Sequence, residues 1–284
     1  MNTSAANRII FTDLDGTLLD HYDNSFAPAE SLLAELEDIG IPVIPTSSMT
    51  HAEIIELRTE LANNHPFITE NGAAVFIPQG YFPQQPHNTK IRGDFWVHEF
   101  SQPRQQWRTV LDQLGVNFPG CFRSFSDCSE QEIMAITGFG ERHATLANIR
   151  EYSEAIQWLG ATTDKQQFIT QLQEAGARAQ QGARYLCIGG QCDKGMALLW
   201  LQDQYQRFSG DKIYHSLAVG DANNDIPMLL ASDIALLIRS PAHDLPSLHR
   251  SGFTLVSEQQ GPMGWDEGVR RWLDLELDSV PQTD

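Results

Sequence analysis

Positive charge is scarce in this sequence. Its 284 residues contain 19 Lys and Arg against 37 Asp and Glu, which gives a formal net charge of −18. Proteins that bind nucleic acids need basic surfaces to neutralise phosphates, so a DNA or RNA partner is not expected. The sequence also lacks an apolar run long enough to span a membrane, and its first residues lack the apolar core of a signal peptide. We therefore expect a cytoplasmic protein without a membrane partner.

Cysteine is also rare. The four cysteines are Cys121, Cys128, Cys187 and Cys192. None forms a Cys-x-x-Cys pair, and no His follows at the spacing of a zinc finger. The spacing favours reduced, partly buried thiols over a zinc site.

The chain is long for a single compact core, which suggests one large domain or two moderate ones. A Pro- and Gln-rich stretch at 78–87 is typical of a linker. Helical and strand patterns alternate after it. We assign residues 1–82 and 189–284 to a core of strands and helices, and residues 83–188 to an inserted α+β domain.

Two acidic residues follow the first apolar run. Ile9 to Phe11 predicts a strand buried on both faces, and Asp13 and Asp15 come directly after it. Ligands bind at this carboxyl edge of open α/β sheets. One carboxylate can attack an electrophile while the other moves a proton, and both can bind Mg²⁺. A polar turn is the alternative; a calcium loop would need Glu where Asn24 stands.

The next strand also ends in polar residues. A helix over 28–39 and a strand over 41–46 complete a βαβ unit, which favours a parallel pair. Thr50 and Glu53 fit a capping box at the start of a further helix. Capping explains Thr50 but gives Ser47 no role. Ser47 and the N–H groups of the helix start could instead hold a phosphate.

The second half of the chain contributes a lysine and two acids. Asp193 can cap a helix that begins at Lys194, where a cation is unfavourable unless an anion lies nearby. A strand over 215–220 leads to Asp221, with Asp225 one helical turn further. Asp221 is placed to join the first acids around a metal. Helix capping is the alternative for both acids.

Together these stretches resemble the four motifs of the haloacid dehalogenase superfamily of phosphatases. The first match is Asp-Leu-Asp-Gly-Thr at 13–17, and the last is Gly-Asp-Ala-Asn-Asn-Asp at 220–225. The resemblance implies a Rossmann-like parallel α/β core with an inserted α+β cap. It implies that Asp13 is the nucleophile and Asp15 the general acid and base. It also implies that Ser47 and Lys194 bind the phosphate.

The same resemblance implies a Mg²⁺ cofactor. Its ligands would be Asp13, Asp15 through its backbone carbonyl, and Asp221. Asn224 and Asp225 would contact these ligands without binding the metal directly. The triplet Glu-Asn-Gly at 70–72 predicts a turn between two strands and is found in the branch of the superfamily with a large α/β cap.

Two further stretches resemble the mannosyl-3-phosphoglycerate phosphatases. Residues 261–269 resemble that family's Gly-Pro-x-Gly-Trp-Asn-Glu-Ala-Val segment, and residues 150–154 resemble its Arg-Glu-Phe/Tyr-Ser/Asp-Glu segment. The resemblance implies a phosphomonoesterase that acts on a small glycosyl-3-phosphoglycerate through an aspartyl-phosphate. Arg150, at the end of a helix predicted over 142–152, and Arg184 are candidates to bind the glycerate carboxylate.

Three departures leave the sugar open. Met49 stands where the family commonly has Lys, Asp266 replaces Asn, and Ala183 replaces Gly. Glucosyl-3-phosphoglycerate or another sugar phosphate is therefore an alternative substrate. A phosphomannomutase-like enzyme and a phospho-ligand binding protein without turnover are alternative functions. The sequence does not indicate the oligomeric state.

Overall fold

The computed structural model describes residues 8–181, 185–210 and 213–275. Its strands are β1 (Arg8–Thr12), β2 (Val43–Pro45), β3 (Phe67–Thr69), β4 (Ala74–Pro78), β5 (Lys90–Arg92), β6 (Phe95–Glu99), β7 (Phe122–Ser124), β8 (Glu154–Trp158), β9 (Arg178–Gln181), β10 (Leu186–Gly189), β11 (His215–Gly220), β12 (Ile234–Arg239) and β13 (Thr254–Gln260). Its α-helices are α1 (Glu30–Asp38), α2 (His51–Glu60), α3 (Arg104–Gly115), α4 (Glu130–Thr137), α5 (Glu141–Ala147), α6 (Thr162–Glu174), α7 (Lys194–Phe208), α8 (Ile226–Ala231) and α9 (Gly261–Leu273).

The core contains a parallel five-stranded sheet in the order β13-β12-β11-β1-β2. Helices α1 and α9 pack on one face and α7 and α8 on the other. Alternate residues of β1 serve the two faces: Ile10 joins the first apolar cluster, and Ile9 and Phe11 join the second. Complete burial of a side chain such as Phe11 contributes about 1.5–3 kcal/mol. This confirms the predicted parallel α/β core.

An antiparallel sheet in the order β3-β4-β6-β5 adjoins this core. A parallel bridge between Thr46 and Ile68 links it to the end of β2. Residues 70–72 form the turn between β3 and β4, as predicted. The predicted boundary puts β5 and β6 in the inserted domain, but β6 pairs along its length with β4.

The cap has its own antiparallel sheet, in the order β7-β8-β10-β9. Trp107 and Leu111 of α3 and Phe168 of α6 pack in one of its apolar clusters. A second cluster includes Ile133 of α4 and Ala144 of α5. These layers confirm an inserted α+β cap. The exact division into 1–82, 83–188 and 189–284 stays a prediction.

The helix predicted over 142–152 is shorter than expected. Helix α5 ends at Ala147. Beyond it, the N–H groups of Glu151 and Tyr152 donate to the Glu70 carboxylate instead of to helix carbonyls. Arg150 therefore lies in the segment between α5 and β8, not at a helix end.

All four cysteines are free thiols, and Cys187 and Cys192 are buried. Among the residues that the structure describes, we find no helix with both the length and the apolar character of a membrane span.

Candidate active site

Parallel pairing brings the ends of three strands to one edge of the core sheet. Asp13 follows β1, and its N–H donates to the Val219 carbonyl of β11 at 2.9 Å. Asp221 follows β11, and Ser47 follows β2 by two residues. The register of β1 with β2 and β11 therefore places these predicted site residues at a common edge.

Lys194 lies buried between two carboxylates. Its Nζ is 2.6 Å from Asp13 Oδ1 and 2.7 Å from Asp225 Oδ1. The lysine is the first residue of α7, and Asp193 caps that helix by accepting a hydrogen bond from the Met196 N–H at 2.9 Å. The two carboxylates offset the unfavourable position of a cation at a helix start. The anion that the sequence predicts near Lys194 is therefore present, and one of the two is Asp13, the predicted nucleophile.

Burial and charge together raise the pKa values of both Asp13 and Lys194. Burial raises the pKa of Asp13, Asp225 raises it further, and Lys194 opposes both. Burial lowers the pKa of Lys194, but Asp13 and Asp225 outweigh this effect and raise it. The lysine therefore remains an ammonium ion, which stabilises the ionised form of Asp13.

A buried acidic triad could hold a metal. Carboxylate oxygens of Asp13, Asp221 and Asp225 lie within 4.8 Å of one another. Hard oxygen donors of this kind suit Mg²⁺. Asp221 Oδ1 also accepts from the Thr17 hydroxyl at 3.2 Å. Asp225 Oδ2 accepts from the N–H groups of Asp221 and Ala222, at 3.1 and 3.0 Å. Thr17 was part of the first motif, but its spacing alone indicated no partner.

Gly16 allows the first and last motifs to approach each other. Its φ of +73° is left-handed, and a Cβ there would lie 2.9 Å from Asp221 Oδ2. On the other side, Trp265 of α9 donates from Nε1 to the Thr12 hydroxyl at 3.0 Å. That hydroxyl donates to the Asp13 carbonyl at 2.7 Å. The segment at 261–269 thus supports the strand that carries the predicted nucleophile.

Asp15 is exposed, with Glu53 of α2 and His143 of α5 among its charged neighbours. The surrounding protein limits hydration of its carboxyl group and raises the pKa of Asp15 to about 6; Glu53 adds to the shift and His143 opposes it. His143 Nε2 lies 2.9 Å from Glu53 Oε1. The predicted general acid therefore lies near a contact between core and cap, which the sequence did not indicate.

The remaining predicted residues of the core make contacts with protein. Ser47 is buried, and its Oγ accepts from the Met49 N–H at 3.1 Å. Met49 is itself buried in the apolar core. Asn224 donates from Nδ2 to Asn71 Oδ1 at 3.1 Å. Asp266 pairs with Arg270 on α9, at 3.2 Å.

Of the two arginines predicted to bind substrate, the structure describes Arg150 alone. Arg184 lies outside the described residues. Arg150 is buried, and its Nη2 and Nε donate to the Ser48 carbonyl and the Ser153 hydroxyl, both at 2.9 Å. Its Nε also lies 3.6 Å from the Glu70 carboxylate. Carboxylate binding by either arginine stays a prediction.

Comparison with known proteins identifies the family. Residues 10–90 match the family described as haloacid dehalogenase-like hydrolase. A Methanococcoides burtonii protein named glucosyl-3-phosphoglycerate/mannosyl-3-phosphoglycerate phosphatase is 35% identical over 263 residues, which cover 92% of this chain and 95% of that protein. The mannosyl-3-phosphoglycerate phosphatase of Pyrococcus horikoshii is 36% identical over 237 residues, which cover 83% of this chain and 92% of that protein.

Solved structures agree on the fold. A Thermoplasma acidophilum protein superposes with a TM-score of 0.65 at 17% identity, covering 94% of this chain and 98% of that one. The sucrose-phosphatase of Synechocystis superposes with a TM-score of 0.60 at 13% identity, with the same coverage. The chain belongs to the haloacid dehalogenase superfamily of phosphatases, in the family of the mannosyl-3-phosphoglycerate phosphatases.

Proposed function

We propose that this phosphatase is Mg²⁺-dependent and hydrolyses a glycosyl-3-phosphoglycerate, with mannosyl-3-phosphoglycerate as the first candidate. The products are glycosylglycerate and phosphate. The observation that carries this proposal is the pair of relatives that are 35 and 36% identical over most of this chain and most of their own length. Their names specify these substrates. The cytoplasmic location expected from the sequence stays a prediction.

Asp13 and Asp15 divide the chemistry in this proposal. An Asp13 oxygen attacks phosphorus, and the bond from phosphorus to the glycerate oxygen breaks as the aspartyl-phosphate forms. Asp15 donates its proton to the leaving oxygen. The Asp15 carboxylate then takes a proton from water as that water attacks phosphorus, which releases phosphate and regenerates Asp13.

The other residues of the sheet edge bind and orient the phosphate. Lys194, already 2.6 Å from Asp13, supplies a fixed positive charge, and Ser47 offers a hydroxyl group from the neighbouring strand end. Asp13, Asp221 and the Asp15 carbonyl would hold Mg²⁺, which supplies positive charge to the phosphoryl oxygens. Asp225 already bonds to Lys194 and two N–H groups, which favours a supporting role.

Removal of divalent metal should lower activity at least tenfold. The acidic triad and the net charge of −18 both repel a phosphate dianion, and Lys194 is the buried cation that bonds to Asp13. The rate of phosphate release should be measured after exhaustive EDTA treatment and gel filtration, then with Mg²⁺ restored. Full activity in metal-free protein would contradict the metal requirement.

Asp15→Asn should slow the reaction of phosphate esters with poor leaving groups more than that of esters with good ones. The variant keeps Asp13 but has no proton to donate, and general acid catalysis is worth about a hundred- to ten-thousandfold. We expect at least a hundredfold loss with an alkyl phosphate ester and a smaller loss with 4-nitrophenyl phosphate in the phosphorylation step. Pre-steady-state release of the alcohol or phenol measures that step. Equal losses for both esters would contradict the assignment.

The substrate proposal is tested by comparing kcat/KM values across phosphate esters. The panel contains mannosyl- and glucosyl-3-phosphoglycerate, mannose 1-phosphate, mannose 6-phosphate and sucrose phosphate. We expect kcat/KM for a glycosyl-3-phosphoglycerate to exceed the others at least tenfold. Equal or better hydrolysis of a simple sugar phosphate would overturn the proposal. Transfer of phosphate to a second sugar position would instead indicate a mutase.

A further inference from the structure

The turn between β3 and β4 has an unusual backbone. Glu70, Asn71 and Gly72 have consecutive left-handed φ values of +47°, +60° and +90°. Glu rarely adopts this conformation. A Cβ at Gly72 would clash with the Asp193 carbonyl, and it would come within 2.8 Å of the backbone nitrogen of Lys194. The turn is therefore pressed against the start of α7, and its surroundings hold it in a strained conformation.

The main chain of this turn also bonds to the segment that carries Ser47. The N–H of Asn71 donates to the Ser47 carbonyl at 2.9 Å. The N–H of Glu70 donates to the Met49 carbonyl at 2.9 Å. The position of the turn and the position of the 47–49 segment are therefore linked by hydrogen bonds.

The Glu70 carboxylate binds the cap segment that follows α5. It is fully buried and accepts from the Glu151 N–H at 2.8 Å, from the Tyr152 N–H at 3.2 Å and from the Ser153 hydroxyl at 2.5 Å. A carboxylate is suited to this place because all three groups can donate to it. Hydrogen bonds to a buried charge are stronger than those between neutral groups.

Arg150 connects the same cap segment to the 47–49 segment. Its guanidinium donates to Ser153 of the cap and to the Ser48 carbonyl of the core, and it lies 3.6 Å from Glu70. Its side chain is only 1% exposed. The arginine and Glu70 therefore form one buried junction between the cap and the strand end that carries Ser47.

The Asn71 side chain makes a different connection. Its Oδ1 accepts from Asn224 Nδ2 at 3.1 Å. The next residue, Asp225, bonds to Lys194 and to the Asp221 N–H. The amide of Asn71 thus contacts the loop that carries the acids of the metal site.

We propose that Glu70 and Asn71 are positioning residues with separate tasks. Glu70 fixes the cap segment 150–153 against residues 47–49, so its loss affects substrates that need the cap. Asn71 fixes the 221–225 loop, so its loss affects metal binding. Neither side chain contacts the reacting atoms.

The first experiment compares Glu70→Gln with wild type on two substrates. Gln has nearly the same volume but presents an NH₂ group where the carboxylate accepts hydrogen bonds. With a glycosyl-3-phosphoglycerate as substrate, we expect kcat/KM to fall about 10- to 100-fold. This half of the experiment rests on the proposed function. For 4-nitrophenyl phosphate, we expect a change of less than threefold. Equal losses on both substrates would overturn the positioning role.

Hydrogen exchange tests the same role without any substrate. Glu70→Gln should speed exchange at the amides of Glu151 and Tyr152, and Ser153→Ala should do so to a smaller extent. The matched control is Glu56→Gln, which breaks an exposed ion pair to Arg142 across the same two domains and should leave both amides unchanged. Unchanged exchange in Glu70→Gln and Ser153→Ala would overturn the proposal even if the substrate assignment fails.

The second task is tested by calorimetric titration of Mg²⁺ alone. Asn71→Gly removes the amide and tolerates the left-handed φ, so we expect Mg²⁺ to bind about 3- to 10-fold more weakly. Asn224→Ala should have the same effect, and the double variant should add little to either single one. Glu70→Gln should bind Mg²⁺ as wild type does. Wild-type affinity in Asn71→Gly, or equal weakening in Glu70→Gln, would overturn the separation of tasks.

Discussion

Asp13→Asn should lower kcat for phosphate release about a thousandfold or more. The amide has almost the same volume as the carboxylate and can still accept a hydrogen bond from Lys194, which lies 2.6 Å from Asp13 Oδ1. It carries no negative charge and does not form a stable bond to phosphorus. The loss should therefore appear with every phosphate ester, in contrast to the leaving-group dependence expected for Asp15→Asn.

The measurement needs a control for charge and a control for chemistry. Asp203→Asn is the charge control, because Asp203 is half exposed on α7 and pairs only with the surface residue Arg207 among the described ion pairs. Acid quenching of wild type during turnover should yield a phosphorylated peptide that contains Asp13. Near wild-type kcat in Asp13→Asn, with intact mass excluding deamidation, would show that Asp13 is not the nucleophile.

The sequence was sufficient to predict the strand-end residues because local pattern and topology determine them. An apolar run followed by Asp13, and a second followed by Asp221, predict strands whose parallel pairing places both acids at one edge. The unfavourable position of Lys194 at a helix start predicted a nearby anion, and the structure has two. The identity of the second, Asp225, depends on how α7 packs against the loop after β11, which no local pattern encodes.

The junction between core and cap could not be predicted for the same physical reason. Helical periodicity extends past α5, but the amides of Glu151 and Tyr152 are bound by a carboxylate distant in sequence, and the helix ends earlier. Arg150 was predicted at a helix end, as a candidate to bind the glycerate carboxylate. Its buried contacts with Ser48 and Ser153 exist only once the cap meets the core.

Lys194→Met should lower both activity and stability. The substitution keeps the unbranched stem but leaves Asp13 and Asp225 buried at the place of the lost ammonium, beside Asp221. Removing one partner of a buried ion pair costs about 3–5 kcal/mol in the free energy of unfolding. Loss of a fixed charge that stabilises the transition state costs about a hundred- to thousandfold in kcat. The structure predicts both effects because the same Nζ serves both carboxylates.

Metal should compensate for part of the stability loss. Mg²⁺ held by Asp13 and Asp221 would restore positive charge next to the unpaired carboxylates, and a ligand that binds only the folded state stabilises it. We expect Lys194→Met to unfold at lower denaturant concentration than wild type in EDTA, and to gain more from saturating Mg²⁺ than wild type does. Lys165→Met is the control, since Lys165 is a half-buried residue of α6 whose Nζ donates to Gln181 and not to a carboxylate. If Lys194→Met unfolds like wild type in EDTA, the lysine does not neutralise the two buried carboxylates.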